Sequence, residues 1–235
     1  MLKDDHFIQI YKKKAHEYHR MIASEDVDNQ LLASIEQLCD LDGKTILDLG
    51  SGTGRLPILF WGKNIELIAL DIQHQMLQYQ KQIRDEVNGA WTILQADICQ
   101  LPIASAVVDI CTAGWSIGHT RGWYPDTWQK SIGTMLEEMT RVTKPGGNLL
   151  VMETLGTGAA APAPPSTELA EYYRFLEYEW AFQKIVISTD YQFESVDQAV
   201  DFTQFFFGDE MAARIRKNGW SRLPEFTGIW HKRPE

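Results

Sequence analysis

The chain has 235 residues, of which 44% are hydrophobic and 23% are charged, and its formal net charge at pH 7 is −10. This length suits one well-buried domain, and the charge disfavours DNA or RNA because nucleic-acid affinity comes mostly from lysine and arginine contacts to phosphate. No apolar run reaches the roughly 18 residues of a membrane-crossing helix, and three scattered cysteines are typical of reduced thiols. We therefore predict a cytoplasmic monomer or homodimer with no membrane span and no nucleic-acid partner.

The first 42 residues carry helix-period patterns. Apolar and aromatic residues recur at steps of three and four at Tyr11, Ala15, Tyr18 and Ile22. Asn29 is positioned to begin a second helix. We expect residues 1–42 to form a helical cap.

Residues 45–57 combine a strand with a glycine-rich turn. The apolar run from Ile46 to Leu49 suits a strand buried on both faces, and glycines at 50, 52 and 54 turn the chain. Thr53 is a candidate N-cap for the helix that follows, and Pro57 falls in its first turn. Such a unit brings backbone N–H groups and a helix N-terminus close to a ligand, which indicates a nucleotide-cofactor site.

Further strands follow in order, and the second and third of them end in an acid. Asp71 closes the second strand about twenty residues after the glycines, the distance at which doubly wound folds place a carboxylate on ribose hydroxyls. The third strand ends at Asp97. The remaining predicted strands cover residues 107–112, 144–153, 184–188 and 225–231.

The spacing Asp48-x-Gly50-x-Gly52-x-Gly54, followed by these strands and by a Pro-Gly-Gly turn at 145–147, resembles the class I S-adenosylmethionine (SAM) methyltransferases. The ubiquinone/menaquinone-biosynthesis-like, small-molecule branch is the most similar. The resemblance covers residues 45–153 by motif and the remainder by strand order. It implies an α/β fold with a doubly wound, seven-stranded, mostly parallel sheet, an antiparallel last strand, helices on both faces and an N-terminal helical cap.

The resemblance also implies SAM as cofactor, with S-adenosylhomocysteine (SAH) as product. A carboxylate at Asp48 suits the cationic sulfonium of SAM better than it would suit a pyrophosphate. In the family, the acid matching Asp97 binds the adenine amino group, and an apolar residue at the position of Met76 covers one adenine face. Tyr11 and Tyr18 either contact the ligands from the cap or only pack the cap on the core. The predicted cofactor residues are Asp48, Gly50, Ser51, Gly52, Gly54, Asp71, Ile72, Met76, Ala96, Asp97, Ile98, Gly114, Trp115, Tyr11 and Tyr18.

The acceptor side is predicted from segments that follow the fourth and fifth strands. Residues 113–120 are loop-like and lie at the carboxyl end of the sheet, where doubly wound folds bind ligands. His119 there is either a catalytic base or a histidine held by structural hydrogen bonds. Residues 156–166 favour a mobile or extended loop, which is either an active-site lid or a slack connector. The aromatic helix after it completes a predicted substrate pocket of Trp115, His119, Tyr124, Tyr172 and Tyr173.

The sequence thus predicts one domain over residues 1–235, divided into a cap (1–42), a SAM-binding core (43–155) and a lid, aromatic helix and C-terminal strands (156–235). Its predicted function is SAM-dependent methyl transfer to an O, N or C atom of a small, partly apolar acceptor, without a metal. A non-catalytic SAM-binding regulatory protein is the alternative. A dehydrogenase is less favoured because the glycines lack the G-x-G-x-x-G spacing.

Overall fold

A seven-stranded sheet lies at the centre of residues 6–234, the part of the chain that the computed structural model describes. The strand order is β3-β2-β1-β4-β5-β9-β6. The strands are β1 (Lys44–Leu49), β2 (Ile65–Asp71), β3 (Thr92–Gln95), β4 (Val108–Gly114), β5 (Thr143–Thr157), β6 (Gln183–Ser188), β7 (Tyr191–Gln192), β8 (Arg222–Leu223) and β9 (Glu225–Lys232).

Strands β1 to β5 pair in parallel, whereas β9 is antiparallel to both of its neighbours, β5 and β6. The predicted fold class is therefore confirmed, including the antiparallel last strand. The small separate pair of β7 and β8 was not predicted. Two residues per strand are too few to show the alternation by which a strand is recognised.

Helices cover both faces of the sheet. They are α1 (His6–Lys13), α2 (Ala15–Ile22), α3 (Gln30–Leu38), α4 (Arg55–Phe60), α5 (His74–Glu86), α6 (His119–Trp123), α7 (Trp128–Val142), α8 (Thr167–Arg174) and α9 (Val196–Asn218). A π-helical turn, Phe175–Glu179, continues α8. None of the helices in residues 6–234 is both long and apolar enough to cross a membrane.

Alternate residues of the buried strands face opposite helical layers. Leu47 of β1 belongs to the apolar cluster that includes Ile132 and Leu136 of α7. Its neighbour Ile46 belongs to the cluster that includes Ile35 of α3 and Phe60 of α4. A strand buried on both faces needs apolar residues at consecutive positions, which explains the unbroken hydrophobic run in the sequence.

Some local predictions were wrong. The first predicted cap helix is divided into α1 and α2 at Lys14, whose φ of −130° and ψ of 36° are not helical. Thr53 does not cap α4, because Gly54 stands at the cap position and the Thr53 hydroxyl is instead 3.1 Å from Nδ1 of His19. Part of the predicted 113–120 loop is the start of α6.

Candidate active site

The glycine turn after β1 packs directly against the segment after β4. Gly50, Gly52 and Gly54 have φ angles of +68°, +54° and +97°, which favour glycine. A Cβ added to Gly50 would lie 2.4 Å from Cβ of Ser116. The position therefore requires glycine for both its backbone conformation and its lack of a side chain.

Asp71 holds this turn in place from the end of β2. Its Oδ2 accepts a hydrogen bond from the Gly52 N–H at 2.8 Å, and its Oδ1 accepts one from the Gln73 N–H at 2.7 Å. The side chain is buried. Asp71 thus fixes two neighbouring loops while it faces the cavity beside them, a role that the sequence did not indicate.

A cavity of about 380 Å³ opens between this turn, the ends of β2 and β4, and the cap. Its volume lies in the range of about 300–1,000 Å³ that is typical of small-molecule sites. Of the predicted cofactor residues, those that line it are Tyr11, Tyr18, Asp48, Gly50, Ser51, Gly52, Asp71, Ile72, Met76, Asp97, Ile98, Gly114 and Trp115. We call it the first cavity.

Gly54 and Ala96 were predicted for this site but do not line the first cavity. A Cβ on Gly54 would meet the Gln80 side chain at 2.9 Å, so this glycine faces α5 instead. Ala96 donates its N–H to the Asp71 carbonyl at 3.2 Å and serves the loop after β3.

Several lining residues were missed by the sequence analysis. They are Ile8, Ile22, Thr53, Arg55, Leu56, Gln73, Cys99, Ser116, Thr120, Trp123, Ser131 and Met135. Arg55, Gln73 and Ser116 directly follow predicted residues, and this adjacency was a usable signal. Ser131 and Met135 come from α7, and nothing local in the sequence marks them.

Asp48 places a buried acid beneath the glycine turn. Its Oδ1 accepts a hydrogen bond from the Thr112 hydroxyl at 2.8 Å. Burial, with a smaller contribution from the neighbouring Asp71 carboxylate, raises the pKa of the Asp48 carboxyl to about 7, against the lowering effect of the Thr112 hydrogen bond. Near neutral pH, the charge of the first cavity therefore depends on pH.

For the SAM site that the resemblance predicts at Asp48, we expect the affinity for SAM to rise between about pH 6 and about pH 7.5, by roughly three- to tenfold, because ionised Asp48 attracts a cationic ligand. The sign follows from the pKa of about 7, since the carboxylate is lost below it. Isothermal titration calorimetry on the wild type and on Asp48→Asn measures the effect. Dividing the wild-type affinity by that of Asp48→Asn cancels any pH effect that comes from titration of SAM itself. A ratio that does not change with pH would contradict the assignment of Asp48 to the SAM site.

A second cavity of about 820 Å³ adjoins the first. The residues common to both walls are Tyr11, Tyr18, Ile22, Arg55, Trp115, His119 and Trp123. The two cavities are therefore neighbours on either side of the same side chains.

The shared wall is held by contacts between the cap and the core. Nε2 of His119 is 2.8 Å from the Tyr11 hydroxyl, and the imidazole stacks on Trp123 with 5.1 Å between ring centroids. The Arg55 guanidinium lies 3.5 Å from the centroid of the Trp115 ring and forms a 2.8 Å ion pair with Glu25. Neither arrangement is visible in the sequence.

The predicted substrate pocket needs correction. Trp115 and His119 line both cavities, whereas Tyr124 lines only the first. Tyr172 and Tyr173 line neither cavity and are buried in the core. Their hydroxyls point to β5, where Tyr172 donates to Glu153 Oε1 at 3.3 Å and Tyr173 donates to the Thr154 carbonyl at 2.7 Å.

The 156–166 segment forms part of the second cavity's wall and is tied to the core. The Gly158 N–H donates to the Pro224 carbonyl at 2.7 Å, and the Ala163 N–H donates to the Leu155 carbonyl at 2.8 Å. Arg214 of α9 donates to the Gly158 carbonyl at 2.6 Å. These bonds anchor both halves of the segment over the cavity.

The middle of the chain is similar to a described protein family. Residues 47–151 match the family model for a methyltransferase domain. The malonyl-[acyl-carrier protein] O-methyltransferase of Pectobacterium atrosepticum is 33% identical over 120 residues, which are 50% of this chain and 41% of that protein. The ubiquinone/menaquinone biosynthesis C-methyltransferase of Bordetella parapertussis is 26% identical over 92% of this chain and 82% of its own length.

The chain spans about half the length of several curated methyltransferases that it matches, between 41% and 57% of each. Among solved structures, a SAM-dependent methyltransferase from Aquifex aeolicus has a TM-score of 0.55 at 16% identity, over 97% of this chain and 99% of that one. This likeness supports the fold. Within residues 6–234, no group of three or more His, Cys, Asp or Glu side chains is arranged to hold a metal ion.

Proposed function

We propose that this protein is a class I SAM-dependent methyltransferase that transfers a methyl group from SAM to a small, partly apolar acceptor. The family match over residues 47–151 and the similarity to methyltransferases support this. The observation that carries the proposal is the pair of adjoining cavities with a shared wall. One has the acids and glycine turn suited to SAM, and the other has the larger volume and aromatic surface suited to an acceptor.

The residues of the first cavity fit SAM in their chemistry. Asp48 and Asp71 are buried acids next to the glycine turn and favour a cationic ligand. We propose that Asp71 binds the ribose hydroxyls and that Asp97 binds the adenine, with Met76 and Ile98 against the ring. The N–H of Gly52 is already bonded to Asp71, which suits a ligand without a phosphate at this turn.

The acceptor binds in the second cavity in this proposal. Its wall carries Phe206, Phe207 and Met211 from α9, together with Trp115 and His119. Apolar and aromatic walls with a few polar groups are typical of sites for small organic molecules. With the chain's net charge of −10, they support a small molecule and argue against nucleic acid.

Methyl transfer places modest demands on the protein. Bound SAM supplies an activated methyl group, and the chain's own residues align the acceptor and exclude water. Alignment alone contributes about 7–11 kcal/mol in favourable cases. His119, which the sequence predicted as a candidate base, has its Nε2 2.8 Å from the Tyr11 hydroxyl and so joins the cap to the wall between the cavities. The three free cysteines are consistent with the proposed cytoplasmic location.

We expect the protein to bind SAH in calorimetry and to transfer label from methyl-tritiated SAM to a small molecule in a protein-free cell extract. Deleting residues 159–163 removes part of the wall over the second cavity and is expected to lower transfer more than SAH affinity. Equal loss of both would contradict the division into two sites.

The non-catalytic alternative makes a different prediction in the same assay. SAH binding without labelled product in any extract would favour a SAM-binding regulatory protein. Failure to bind SAH or SAM would refute both proposals.

A further inference from the structure

Glu153 is a buried acid that none of the roles described above uses. It lies near the carboxyl end of β5, between β4 and β9 in the sheet, and is 5% exposed. Its side chain lines the second cavity and does not line the first. It therefore faces the proposed acceptor and not the proposed cofactor.

One oxygen of this carboxyl is held by the protein and the other is not. Oε1 accepts hydrogen bonds from the Gly118 N–H at 3.0 Å and from the Tyr172 hydroxyl at 3.3 Å. No group in residues 6–234 makes a hydrogen bond to Oε2. Oε2 is not one of the fully buried side-chain oxygens that lack a partner among the described residues, so it is accessible from the cavity and a bound molecule can reach it.

The surroundings keep this carboxyl in position. Gly118 has no side chain, and a Cβ there would lie 2.8 Å from Glu153 Oε1. Tyr172 is fully buried and approaches from α8 on the side away from the cavity. The strand, the turn before α6 and α8 thus all hold Oε1, which leaves Oε2 for a molecule in the cavity.

We propose that Glu153 accepts the proton of the acceptor's reacting group, and that this group is a hydroxyl. This inference rests on the proposed function and specifies its substrate class. In the step, the O–H bond of the acceptor breaks and its proton passes to Glu153 Oε2. The oxygen lone pair forms the new bond to the methyl carbon, and the electrons of the carbon–sulfur bond pass to sulfur, which leaves neutral SAH.

The electrostatics suit a proton acceptor near neutral pH. Burial raises the pKa of Glu153 to about 8, against the lowering effect of the hydrogen bonds from Gly118 and Tyr172. A base whose pKa lies near the working pH is more effective than an ordinary carboxylate. The titratable or charged groups around it are Tyr172 and Tyr173 on α8, His119 and Arg121 on α6, and Glu225 on β9.

A hydroxyl acceptor needs this base, whereas a carboxylate acceptor does not, because a carboxylate has already lost its proton at neutral pH. The test therefore compares 2-naphthol with 2-naphthoate, which share one aromatic skeleton. Binding of each to the SAH-loaded protein is measured by calorimetry, and methyl transfer is measured with tritiated SAM across a pH series.

We expect 2-naphthol to bind and to be methylated, with a rate that rises with pH around a midpoint of about 8. Glu153→Gln keeps the size and hydrogen bonding of the side chain but is a far weaker proton acceptor. It should bind 2-naphthol within about threefold of wild type and methylate it about 100-fold more slowly or worse. Glu36→Gln on the exposed face of α3 is the matched control and should behave as wild type.

Tyr172→Phe gives a second readout. It removes a hydrogen bond that lowers the Glu153 pKa, so the midpoint of the pH profile should move upward while the plateau rate is retained. A merely structural role for Glu153 predicts no such shift.

Three results would overturn the inference: binding of neither probe, faster methylation of 2-naphthoate than of 2-naphthol, or a wild-type rate in Glu153→Gln. SAH affinity is measured first on every variant, which also checks that it is folded. A protein that binds SAH but fails these tests loses only the Glu153 assignment, whereas one that does not bind SAH loses the proposed function itself.

Discussion

Gly50→Ala is expected to lower the free energy of unfolding by about 2–5 kcal/mol and to remove measurable SAH binding. The left-handed backbone at this position costs an alanine about 1–2 kcal/mol, and forcing a methyl group into a packed site costs about 1–3 kcal/mol more. The added Cβ would lie 2.4 Å from Cβ of Ser116, so the turn after β1 and the turn after β4 must separate. Both turns line the first cavity, which is why binding is lost together with stability.

Gly43→Ala is the matched control for this prediction. Gly43 has nearly the same φ, +66°, but nothing lies within 4 Å of its added Cβ. Its substitution should therefore cost only the backbone term of about 1–2 kcal/mol and leave SAH affinity unchanged. Urea unfolding and calorimetry measure the two effects, and equal losses in both variants would show that the contact with Ser116 does not matter.

Asp71→Ala is expected to weaken SAH binding by roughly 1.5–3 kcal/mol, which is about 10- to 150-fold. The substitution removes the proposed hydrogen bond to the ribose. It also leaves the N–H groups of Gly52 and Gln73 without their carboxylate partner, so both loops beside the cavity lose an anchor. Loss of the ligand contact and loss of loop order act in the same direction.

Asp85→Ala at the exposed end of α5 is the control, since it removes an acid from the same part of the chain without touching the first cavity. Asp71→Asn separates the two causes, because one side-chain oxygen is kept as an acceptor while the charge is lost. An unchanged affinity for SAH in Asp71→Ala would refute the ribose assignment.

Features that depend on residues close together in the sequence were predictable from it. The strands were found from short apolar runs, and the resemblance to class I methyltransferases implied the seven-stranded sheet with its antiparallel last strand. The glycine turn was found because positive φ angles at positions 50, 52 and 54 demand a residue without a side chain. Asp71 and Asp97 were found because each follows directly from the end of a strand.

Other features were decided only when distant segments came together. Tyr11 and His119 are 108 residues apart in the chain, yet their side chains meet at 2.8 Å. The aromatic pattern around Tyr172 suggested a pocket wall, but only the packing of α8 against β5 turned that hydroxyl toward Glu153 and away from the cavity.

The sequence by itself therefore determined the strands and the glycine turn, because backbone conformation and strand burial depend on local residue type and period. The sheet topology and the proposed cofactor residues were expected from the resemblance to the methyltransferase family. The tertiary structure alone decided which side chains face the second cavity and which oxygen of Glu153 is left accessible there. Burial and hydrogen-bond satisfaction depend on every element packed around a group, and a one-dimensional pattern does not contain that information.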